Sequence, residues 1–426
     1  MGSGEHHRVV SKVFLRGQTV SGACCRSCGA TAIETVLDLG QIPLVNSLPT
    51  EEELKRPDPR YPLVLAFCPA CALVQITHTV PPEELFRDYL YFSSYSDTML
   101  AHARSLVDRI VAERSLGARH LAIEIASNDG YLLCNYQRLG VPVLGIEPAR
   151  NIARVAESKG IPTMAEFFGR ELGQQLASEG RRADVIHAHN VFAHVPDVNG
   201  FVAGMASMLA PGGVAVIEAP YVRDMIERLE FDTIYHEHLC YFSASAVQPL
   251  FQRHGLVLVD VERVEIHGGS LRLWIAHTGA EVKPSVATML AEERALGMTK
   301  RDYYRDFAVR ASNLREDLRG QLRGLKSRGL RIAGYGAAAK GAVLLNYAGI
   351  GMDLIDFVAD RSPHKQGRHV PGVRIPVRAP SALLEAQPDY VLLLAWNFED
   401  EIRAQQSEYV HRGGRFIVPV PRVRMD

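Results

Sequence analysis

The amino-acid sequence predicts an α/β protein in which a small cysteine-anchored N-terminal domain precedes two Rossmann-like α/β domains. Three observations predict this class: two close cysteine pairs near the N-terminus, an alternation of apolar strands and helices from residue 121, and a second alternation from residue 330. The chain of 426 residues is long enough for two or three domains, and its hydrophobic content of 47% is ordinary for a globular protein. We place the predicted domains at residues 1–85, 86–280 and 281–426.

Composition excludes several classes of function. The 47 basic and 48 acidic residues give a net charge of -1, so no overall field attracts nucleic acid or an anionic membrane. No apolar run is long enough to cross a bilayer, and the start lacks the apolar core of a secretory signal. We therefore expect a cytoplasmic protein with no membrane or nucleic-acid partner. We also expect a monomer, because no pattern resembles a coiled coil or a long apolar helix face.

The N-terminal cysteines have the spacing of metal ligands. Cys25 and Cys28 form one pair, and Cys68 and Cys71 form the other, each with a two-residue spacer. Four thiolates in two such pairs predict a structural Zn²⁺. Cys24 is an alternative ligand to Cys25, which we prefer because it gives the two-residue spacer. A closed four-sulfur site serves folding rather than catalysis. The alternative of a zinc-ribbon nucleic-acid adaptor is disfavoured because no basic cluster lies between the pairs.

The first α/β alternation predicts a cofactor site. Its first strand ends in a small-residue turn at residues 127–130, and the next strand ends at Glu147. An acid about 20 residues after such a turn is the ribose-binding arrangement of nucleotide-binding folds. Glu124 and Asp129 flank the turn, and these acids would repel a pyrophosphate and attract a cationic sulfonium. This charge argument favours S-adenosylmethionine over NAD. The predicted cofactor-binding residues are Glu124, Ala126, Asn128, Asp129, Gly130, Glu147 and Asn190.

A cluster of proton-transfer groups follows the predicted end of a parallel strand at Pro220. Within residues 235–242 stand two tyrosines, two histidines and one glutamate. Ligands of open α/β sheets bind beyond the carboxyl ends of the strands, so this cluster is a candidate for general acid/base catalysis. The alternative is that these residues are a solvated loop.

The second α/β alternation carries a glycine-rich turn at residues 334–341, and its next strand ends at Asp360. The turn's backbone amides and the following helix N-terminus suit a phosphate, and Lys340 adds positive charge. A glycine turn of this type is weak evidence for a particular nucleotide. It leaves open an NAD-dependent oxidoreductase or epimerase. Trp396, beyond a later strand, either stacks on a base or fills the core.

Five blocks occur in one order along nearly the whole chain: the cysteine pairs and residues 124–130, 235–242, 267–272 and 334–341. Together they resemble the sugar C-methyltransferases that act on nucleoside-diphosphate 4-keto-deoxysugars in antibiotic biosynthesis. The resemblance implies a zinc-binding domain, a central methyltransferase domain that uses S-adenosylmethionine, and a C-terminal domain that holds a dTDP-sugar. The substrate it suggests is a dTDP-3-amino-2,3,6-trideoxy-4-keto-hexose.

The resemblance also implies roles for individual residues. His238 matches the general base; Tyr235, Glu237 and Tyr89 match groups that position the sugar or the base; and His194 lies at the margin of the site. The residues expected to bind the substrate are His267, Ser270, Arg272, Gly336, Lys340, Asp360, Trp396 and Asn397.

The expected reaction forms an enolate. The 4-keto group makes the C-3 hydrogen removable, His238 accepts it, and the carbon then takes the methyl group. Methylation at C-5 is the main rival, because both reactions use an enolate beside the same ketone. Ala126 departs from the family pattern, in which glycine is usual, and we expect its methyl group to fit if the backbone there is not left-handed.

Overall fold

The computed structural model describes residues 22–86, 94, 97–266 and 268–426. They form three β-sheets with helices packed around the two larger ones. Among these residues, no helix is both long enough and apolar enough to cross a membrane. The strands in chain order are β1 (Glu34–Pro43), β2 (Arg60–Phe67), β3 (Val74–Ile76), β4 (Ala122–Ile125), β5 (Val143–Ile146), β6 (Thr163–Met164), β7 (Ala183–His189), β8 (Leu209–Pro220), β9 (Cys240–Tyr241), β10 (Leu256–Val264), β11 (Ser270–His277), β12 (Ile332–Tyr335), β13 (Val358–Ala359), β14 (Val377–Arg378), β15 (Tyr390–Leu393), β16 (Arg415–Val418) and β17 (Arg424–Met425).

The helices connect these strands. In chain order they are α1 (Pro82–Phe86), α2 (Asp97–Arg114), α3 (Leu133–Arg138), α4 (Arg150–Ser158), α5 (Arg170–Ser178), α6 (Val198–Met208), α7 (Val222–Glu227), α8 (Ala244–Gln252), α9 (Pro284–Ala295), α10 (Phe307–Ser327), α11 (Ala339–Ala348), α12 (Ser381–Ala386), α13 (Glu399–Gln405) and α14 (Ser407–His411).

The N-terminal sheet is antiparallel, with strand order β1-β2-β3-β9. Its fourth strand comes from the middle of the chain, where Cys240 pairs with Gln75 and Tyr241 pairs with Val74. The sheet therefore joins the cysteine-rich segment directly to the proton-transfer cluster. It thus contains strands from both sides of the predicted boundary near residue 85. The domain boundaries remain predictions.

The central sheet has seven strands in the order β10-β11-β8-β7-β4-β5-β6. β4 pairs in parallel with β5 on one side and with β7 on the other, so the chain reverses direction across the sheet between β4 and β7. This is the switch point at which doubly wound sheets bind ligands. β4 is buried along its whole length, as expected of a parallel strand covered on both faces. β11 lies antiparallel to β8 and closes one edge with β10.

The C-terminal sheet repeats the doubly wound arrangement, with strand order β14-β13-β12-β15-β16-β17. β12 pairs in parallel with β13 and β15, which puts a second switch point between β12 and β15. The predicted fold class, α/β with two Rossmann-like parts and a small N-terminal part, is confirmed.

The three sheets share a continuous core. Phe67 of the N-terminal sheet packs on Tyr304 with ring centroids 4.9 Å apart, and Phe192 after β7 stacks on Phe242 after β9 at 4.5 Å. Polar contacts also tie the N-terminal sheet to the C-terminal part: Arg374 donates to the Leu54 carbonyl oxygen at 3.0 Å. The three parts of the chain therefore pack against one another around the proton-transfer cluster at residues 235–242.

Candidate active site and metal centre

Four cysteine sulfurs converge in the N-terminal part. The Sγ atoms of Cys25, Cys28, Cys68 and Cys71 all lie within 4.8 Å of one another. Four thiolates at this mutual distance fit a tetrahedral structural Zn²⁺ and leave no ligand position for a substrate. Cys24 is exposed and stands outside the cluster, so the geometry favours Cys25, and the ligand assignment stays a prediction.

Each cysteine pair is held by a tight turn. Gly29 donates to the Cys25 carbonyl oxygen at 2.9 Å, and Ala72 donates to the Cys68 carbonyl oxygen at 2.8 Å. Both donors have left-handed backbones, with φ of 75° at Gly29 and 62° at Ala72. Glycine adopts this conformation freely, whereas alanine is strained in it.

The predicted cofactor turn follows β4 and contains three left-handed residues. The φ angles are 55° at Ala126, 49° at Asn128 and 79° at Gly130. The condition under which we expected the Ala126 methyl to fit without strain is therefore not met. A left-handed non-glycine residue costs about 1–2 kcal/mol. Strained backbone of this kind concentrates at ligand sites, where the surrounding structure enforces it.

Two buried glutamates adjoin this turn. Glu147 accepts the amides of Asn128 and Ala149, one on each carboxylate oxygen, both at 2.9 Å. Glu124 is 1% exposed, and its Oε2 has no hydrogen-bond partner among the described residues. Burial, with smaller contributions from Glu147 and Asp129, holds the pKa of Glu124 well above its usual value. A buried carboxyl oxygen without a partner among the described residues fits a cationic or hydrogen-bond-donating ligand.

Asp129 does not offer the free charge that the sequence suggested. Its Oδ2 forms an ion pair with Lys159 Nζ at 2.7 Å and also accepts a hydrogen bond from Ser94. Its Oδ1 is buried without a partner among the described residues. Asn190 lies at the end of the neighbouring strand β7 with φ of 54°, and its amide donates to the Glu218 carbonyl oxygen at 2.8 Å. The predicted cofactor residues thus gather at the carboxyl ends of β4, β5 and β7.

His238 and Tyr235 form a hydrogen-bonded pair. His238 Nδ1 lies 2.9 Å from the Thr233 carbonyl oxygen, and Nε2 lies 2.9 Å from the Tyr235 hydroxyl. A carbonyl oxygen only accepts, so the neutral ring carries its hydrogen on Nδ1, and Nε2 accepts from the phenol. This tautomer is assigned from the hydrogen-bond geometry. It gives His238 a basic nitrogen directed at Tyr235.

His194 packs against this pair. Its ring meets the His238 ring edge to face, with centroids 4.9 Å apart. Burial, followed by the charge of His238, holds the pKa of His194 well below its usual value. The structure therefore brings together three of the predicted catalytic residues. Tyr89, a fourth, lies outside the described residues.

Glu237 faces the N-terminal part of the protein. Its carboxylate is 4% exposed, and Oε1 accepts a hydrogen bond from Asn46 Nδ2 at 2.7 Å. Burial raises the pKa of Glu237 to about 7, although the Asn46 bond acts in the opposite direction. Sequence reasoning missed Asn46, because no motif links two residues that are 191 positions apart.

His236, between the two, turns towards the N-terminal sheet. Its Nε2 lies 3.3 Å from the Pro62 carbonyl oxygen, and its ring meets Tyr61 edge to face. Burial lowers the pKa of His236 to about 4. This histidine anchors residues 235–242 to the N-terminal sheet as a neutral side chain.

The C-terminal switch point collects another predicted group. Lys340 Nζ lies 4.4 Å from the centroid of the Trp396 ring, and Trp396 Nε1 donates to Asp232 Oδ2 at 2.7 Å. Asp360 accepts the Ala337 amide at 2.7 Å and closes the glycine-rich turn. Gly336 has φ of 92°, and a Cβ there would lie 2.7 Å from the Ala395 Cβ.

Trp396 and Asn397 also border a cavity of about 510 Å³ at the ends of β15 and β16. Trp396 thus has one face beside Lys340 and its ring nitrogen tied to Asp232. Trp396 is therefore neither free to stack on a base nor simply part of the hydrophobic core. Sequence reasoning missed Asp232, which is fully buried and has Oδ1 without a partner among the described residues.

Two predicted substrate residues already have protein partners. Ser270 Oγ donates to the Ile266 carbonyl oxygen at 3.1 Å, and Arg272 pairs with Glu218 at 2.6 Å and with Glu262 at 2.8 Å. Arg272 is 7% exposed, so binding a substrate would require it to exchange partners. His267 lies outside the described residues.

A buried polar chain that the sequence did not reveal leads to the same carboxylate. Tyr136 bonds His187 at 2.8 Å, His187 bonds His189 at 2.8 Å, and His189 reaches Glu218 at 3.0 Å. Burial holds the pKa of His187 well below its usual value. Burial alone would raise the pKa of Glu218, but the buried polar chain and Arg272 lower it, and it lies well below its usual value. These partners therefore stabilise the Glu218 carboxylate in the core.

Three family models match this chain. "Putative zinc binding domain" matches residues 25–86, "Methyltransferase domain" matches residues 96–261, and "C-methyltransferase C-terminal domain" matches residues 265–421. The C-methyltransferase NovU of Streptomyces niveus is 38% identical over 403 residues, which cover 94% of this chain and 96% of NovU.

More distant similarities concern parts of the chain. A ubiquinone biosynthesis O-methyltransferase of Methylobacterium sp. (strain 4-46) is 25% identical over 196 residues, covering 41% of this chain and 76% of that protein. Among solved structures, magnesium protoporphyrin IX methyltransferase from Synechocystis PCC 6803 with bound SAM is 15% identical, with a TM-score of 0.33 and coverage of 46% of this chain and 89% of that chain. An S-adenosylmethionine-dependent methyltransferase from Clostridium acetobutylicum ATCC 824 is 10% identical, with a TM-score of 0.33 and coverage of 41% and 91%.

Proposed function

Because the chain belongs to the C-methyltransferase family that includes NovU of Streptomyces niveus, we propose that it methylates C-3 of a dTDP-4-keto-deoxysugar through an enolate, with His238 as the general base. Family membership makes the chain an S-adenosylmethionine-dependent C-methyltransferase with a zinc-binding domain. The acceptor, the carbon and the base are the proposal. Its most specific form is a dTDP-3-amino-2,3,6-trideoxy-4-keto-hexose, the substrate of the 3-C-methyltransferase of D-tetronitrose biosynthesis.

The observation that carries the proposal is the hydrogen-bonding of His238. With Nδ1–H donated to the Thr233 carbonyl oxygen, Nε2 carries the lone pair of the ring, which accepts a hydrogen bond from the Tyr235 hydroxyl in this structure. The same carbonyl oxygen stabilises the imidazolium that forms when Nε2 is protonated. A histidine that acts as a general base needs both features: a fixed tautomer and a hydrogen-bond partner for its protonated form.

Tyr235 supplies the matching donor. Its hydroxyl rests on Nε2 at 2.9 Å, so it occupies the place where the substrate proton has to arrive. When a 4-ketosugar enters, rotation of the phenol towards the ketone oxygen frees Nε2 and directs a donor at the oxygen that becomes the enolate. A donor placed where negative charge develops lowers the barrier to forming it.

The cofactor residues align the second reactant. S-adenosylmethionine supplies an electrophilic methyl group on a sulfonium when it is bound. In this proposal Glu147, whose carboxylate oxygens each accept one backbone amide, binds the ribose, and Glu124 Oε2, which has no partner among the described residues, accepts a donor from the ligand. The chain's part is to orient the two reacting atoms and to exclude water.

The proposed nucleotide-binding site lies at the C-terminal switch point. It combines a glycine-rich turn, the N-terminus of the ten-residue helix α11 and the ammonium of Lys340. Glu230 and Asp232 lie near that ammonium, and burial raises the pKa of Glu230 to about 7 and raises the pKa of Asp232. A pKa of about 7 keeps Glu230 partly neutral near neutral pH, which reduces its repulsion of a diphosphate.

Product analysis tests the acceptor and the carbon. The protein is incubated with S-adenosylmethionine and a panel of dTDP-4-ketosugars that carry an amine or a hydroxyl at C-3, and the products are analysed by mass spectrometry and NMR. We expect a new methyl group on C-3 of the amino sugar. A methyl group on C-5 would replace the proposed carbon with its rival, and turnover of the hydroxyl sugars alone would overturn the proposed substrate.

Substitution tests the base. We expect His238→Asn to lower kcat by about 10²–10⁴-fold, the usual contribution of a general base, and to leave S-adenosylmethionine affinity by calorimetry unchanged. Tyr235→Phe should lose less, because it removes a donor and keeps the base. Turnover of His238→Asn close to that of the native protein would rule out the assignment.

A further inference from the structure

The catalytic segment at residues 235–242 is built onto the zinc-binding sheet. Its residues Cys240 and Tyr241 form the last strand of that sheet, and the Ile76 amide donates to the Leu239 carbonyl oxygen at 3.0 Å. His236 rests on the Pro62 carbonyl oxygen of the same sheet. The N-terminal part therefore forms one wall of the proposed active site and also carries the four cysteines of the zinc site.

One side chain from this wall reaches a candidate catalytic group. Asn46 lies just after β1, where the chain leaves the sheet, and its Nδ2 donates to Glu237 Oε1 at 2.7 Å. The donor is exposed, whereas the carboxylate that receives its hydrogen bond is only 4% exposed. A surface amide that holds a buried carboxylate is placed to set the orientation of that carboxylate.

The hydrogen bond from Asn46 favours the ionised form of Glu237. Hydrogen bonds to an ionised group are roughly twice as strong as those between neutral groups. Burial raises the pKa of Glu237, and the Asn46 bond is what opposes it. The titratable groups of the same segment and of the sheet and loop packed on it are Tyr61, His78, His194, Tyr235, His236, His238, Cys240 and Tyr241.

We propose that Asn46 is a positioning residue of the active site, through which the zinc-binding part of the chain fixes the orientation and charge state of Glu237. The proposal rests on the proposed function in one respect: Glu237 is taken to position the sugar or its base. Asn46 itself need not touch the substrate. Its amide acts through the Glu237 carboxylate.

Two substitutions separate the hydrogen bond from the space it fills. Asn46→Ala removes the donor. Asn46→Asp keeps the shape but places a second carboxylate beside the first. The control is Ser47→Ala, since Ser47 is the exposed neighbour whose hydroxyl donates to the Leu44 carbonyl oxygen at 2.7 Å, away from Glu237.

A titration that needs no substrate gives the first readout. Infrared difference spectra across pH follow the carboxyl group of Glu237, with Glu237→Gln as the blank. We expect its midpoint near 7 in the native protein and in Ser47→Ala. The midpoint should move to higher pH in Asn46→Ala, because the donor that favours the ionised form is gone, and further in Asn46→Asp. An unchanged midpoint in Asn46→Ala would overturn the proposal.

Kinetics with the dTDP-4-ketosugar give the second readout. We expect Asn46→Ala to lower kcat/KM about ten- to hundredfold, and Ser47→Ala to match the native protein. Zinc content and S-adenosylmethionine affinity should stay unchanged in both. Because Asn46 acts through Glu237, adding Asn46→Ala to Glu237→Gln should produce no further loss.

The outcomes distinguish the two claims. Loss in Glu237→Gln with native turnover in Asn46→Ala overturns the role of Asn46 and leaves the proposed function standing. Native turnover in Glu237→Gln removes Glu237 from the proposed function and overturns the positioning role of Asn46, whatever the titration shows. Equal further loss from Asn46→Ala in both backgrounds would show that Asn46 acts by another route and would also overturn the proposal.

Discussion

Ala126 stands in the cofactor turn with a backbone that glycine would adopt more easily. Its φ of 55° is enforced between the buried strand β4 and the amide contacts of Glu147 with the same turn. The strain is local, and it places the following Asn128 amide on the carboxylate predicted to hold the ribose. Conformation at this residue therefore connects chain stability to the cofactor site.

Replacing Ala126 by glycine should relieve the strain. We expect Ala126→Gly to raise the free energy of unfolding by up to about 1 kcal/mol, since the left-handed cost of about 1–2 kcal/mol is partly offset by the extra freedom of glycine in the unfolded chain. Thermal or denaturant unfolding measures it. Ala122→Gly is the control, because Ala122 is fully buried in extended β4, where glycine should destabilise. Equal destabilisation by both substitutions would contradict the strain at Ala126.

At the scale of single residues, the sequence predicts ligands that share a local spacing and misses partners that are far apart in the chain. The cysteine ligands follow from two-residue spacers, and the choice of Cys25 over Cys24 follows from the same spacing. The contacts of Asn46 and Asp232 could not be predicted from a local spacing, because each joins segments that are distant in the chain. Asp129 was recognised as an acid, but the Lys159 that neutralises it was not.

At the scale of elements, the predicted strands of both α/β parts are present, and the short strand β9 was missed. Two residues carry no periodic pattern, so nothing in the sequence marks Cys240 and Tyr241 as a strand. The pairing of β9 with β3 has the larger consequence, because it makes the catalytic segment part of the zinc-binding sheet. Metal binding should therefore support catalysis through this sheet.

Loss of one zinc ligand tests that connection. We expect Cys25→Ser to lose zinc and at least tenfold in turnover, because the sheet that carries β9 loosens when its metal is gone. Affinity for S-adenosylmethionine should be retained, since the predicted cofactor residues lie at the carboxyl ends of β4, β5 and β7, in the central sheet. Zinc by atomic emission, turnover and calorimetry provide the three readouts. Cys24→Ser, one residue away and exposed, should behave like the native protein. Zinc loss with unaltered turnover would contradict a role of the sheet in catalysis.

At the scale of the whole molecule, the catalytic segment lies where three parts of the chain meet. Asn46 contacts it from the N-terminal part, and Trp396 contacts Asp232 from the C-terminal part. Asp232 directly precedes Thr233, whose carbonyl oxygen orients His238. The order of the three parts along the chain can be predicted from the strand patterns. The contacts by which the three parts meet at the proton-transfer residues cannot, because they depend on how the parts pack.

The Trp396 contact can be removed with little change in shape. Trp396→Phe keeps an aromatic ring beside Lys340 and leaves Oδ2 of the buried Asp232 without the Nε1 donor. We expect unfolding to become easier by about 1–3 kcal/mol, the usual cost of an unsatisfied buried acceptor, and kcat to fall. Calorimetric unfolding and steady-state kinetics measure the two effects. In Asp232→Asn the amide oxygen still accepts from Trp396, so this variant should stay closer to the native protein. A larger loss there than in Trp396→Phe would contradict the role of the bond.

Hydrogen exchange at C-3 of the sugar tests the central claim most directly, because it reports proton removal without methyl transfer. The protein is incubated in deuterated water with the dTDP-3-amino-4-ketosugar and S-adenosylhomocysteine, and the C-3 hydrogen is followed by NMR. We predict that the native protein exchanges this hydrogen and that His238→Ala does so at the uncatalysed rate. Exchange at C-5 alone, or exchange by His238→Ala as fast as by the native protein, would contradict an enolate formed by His238.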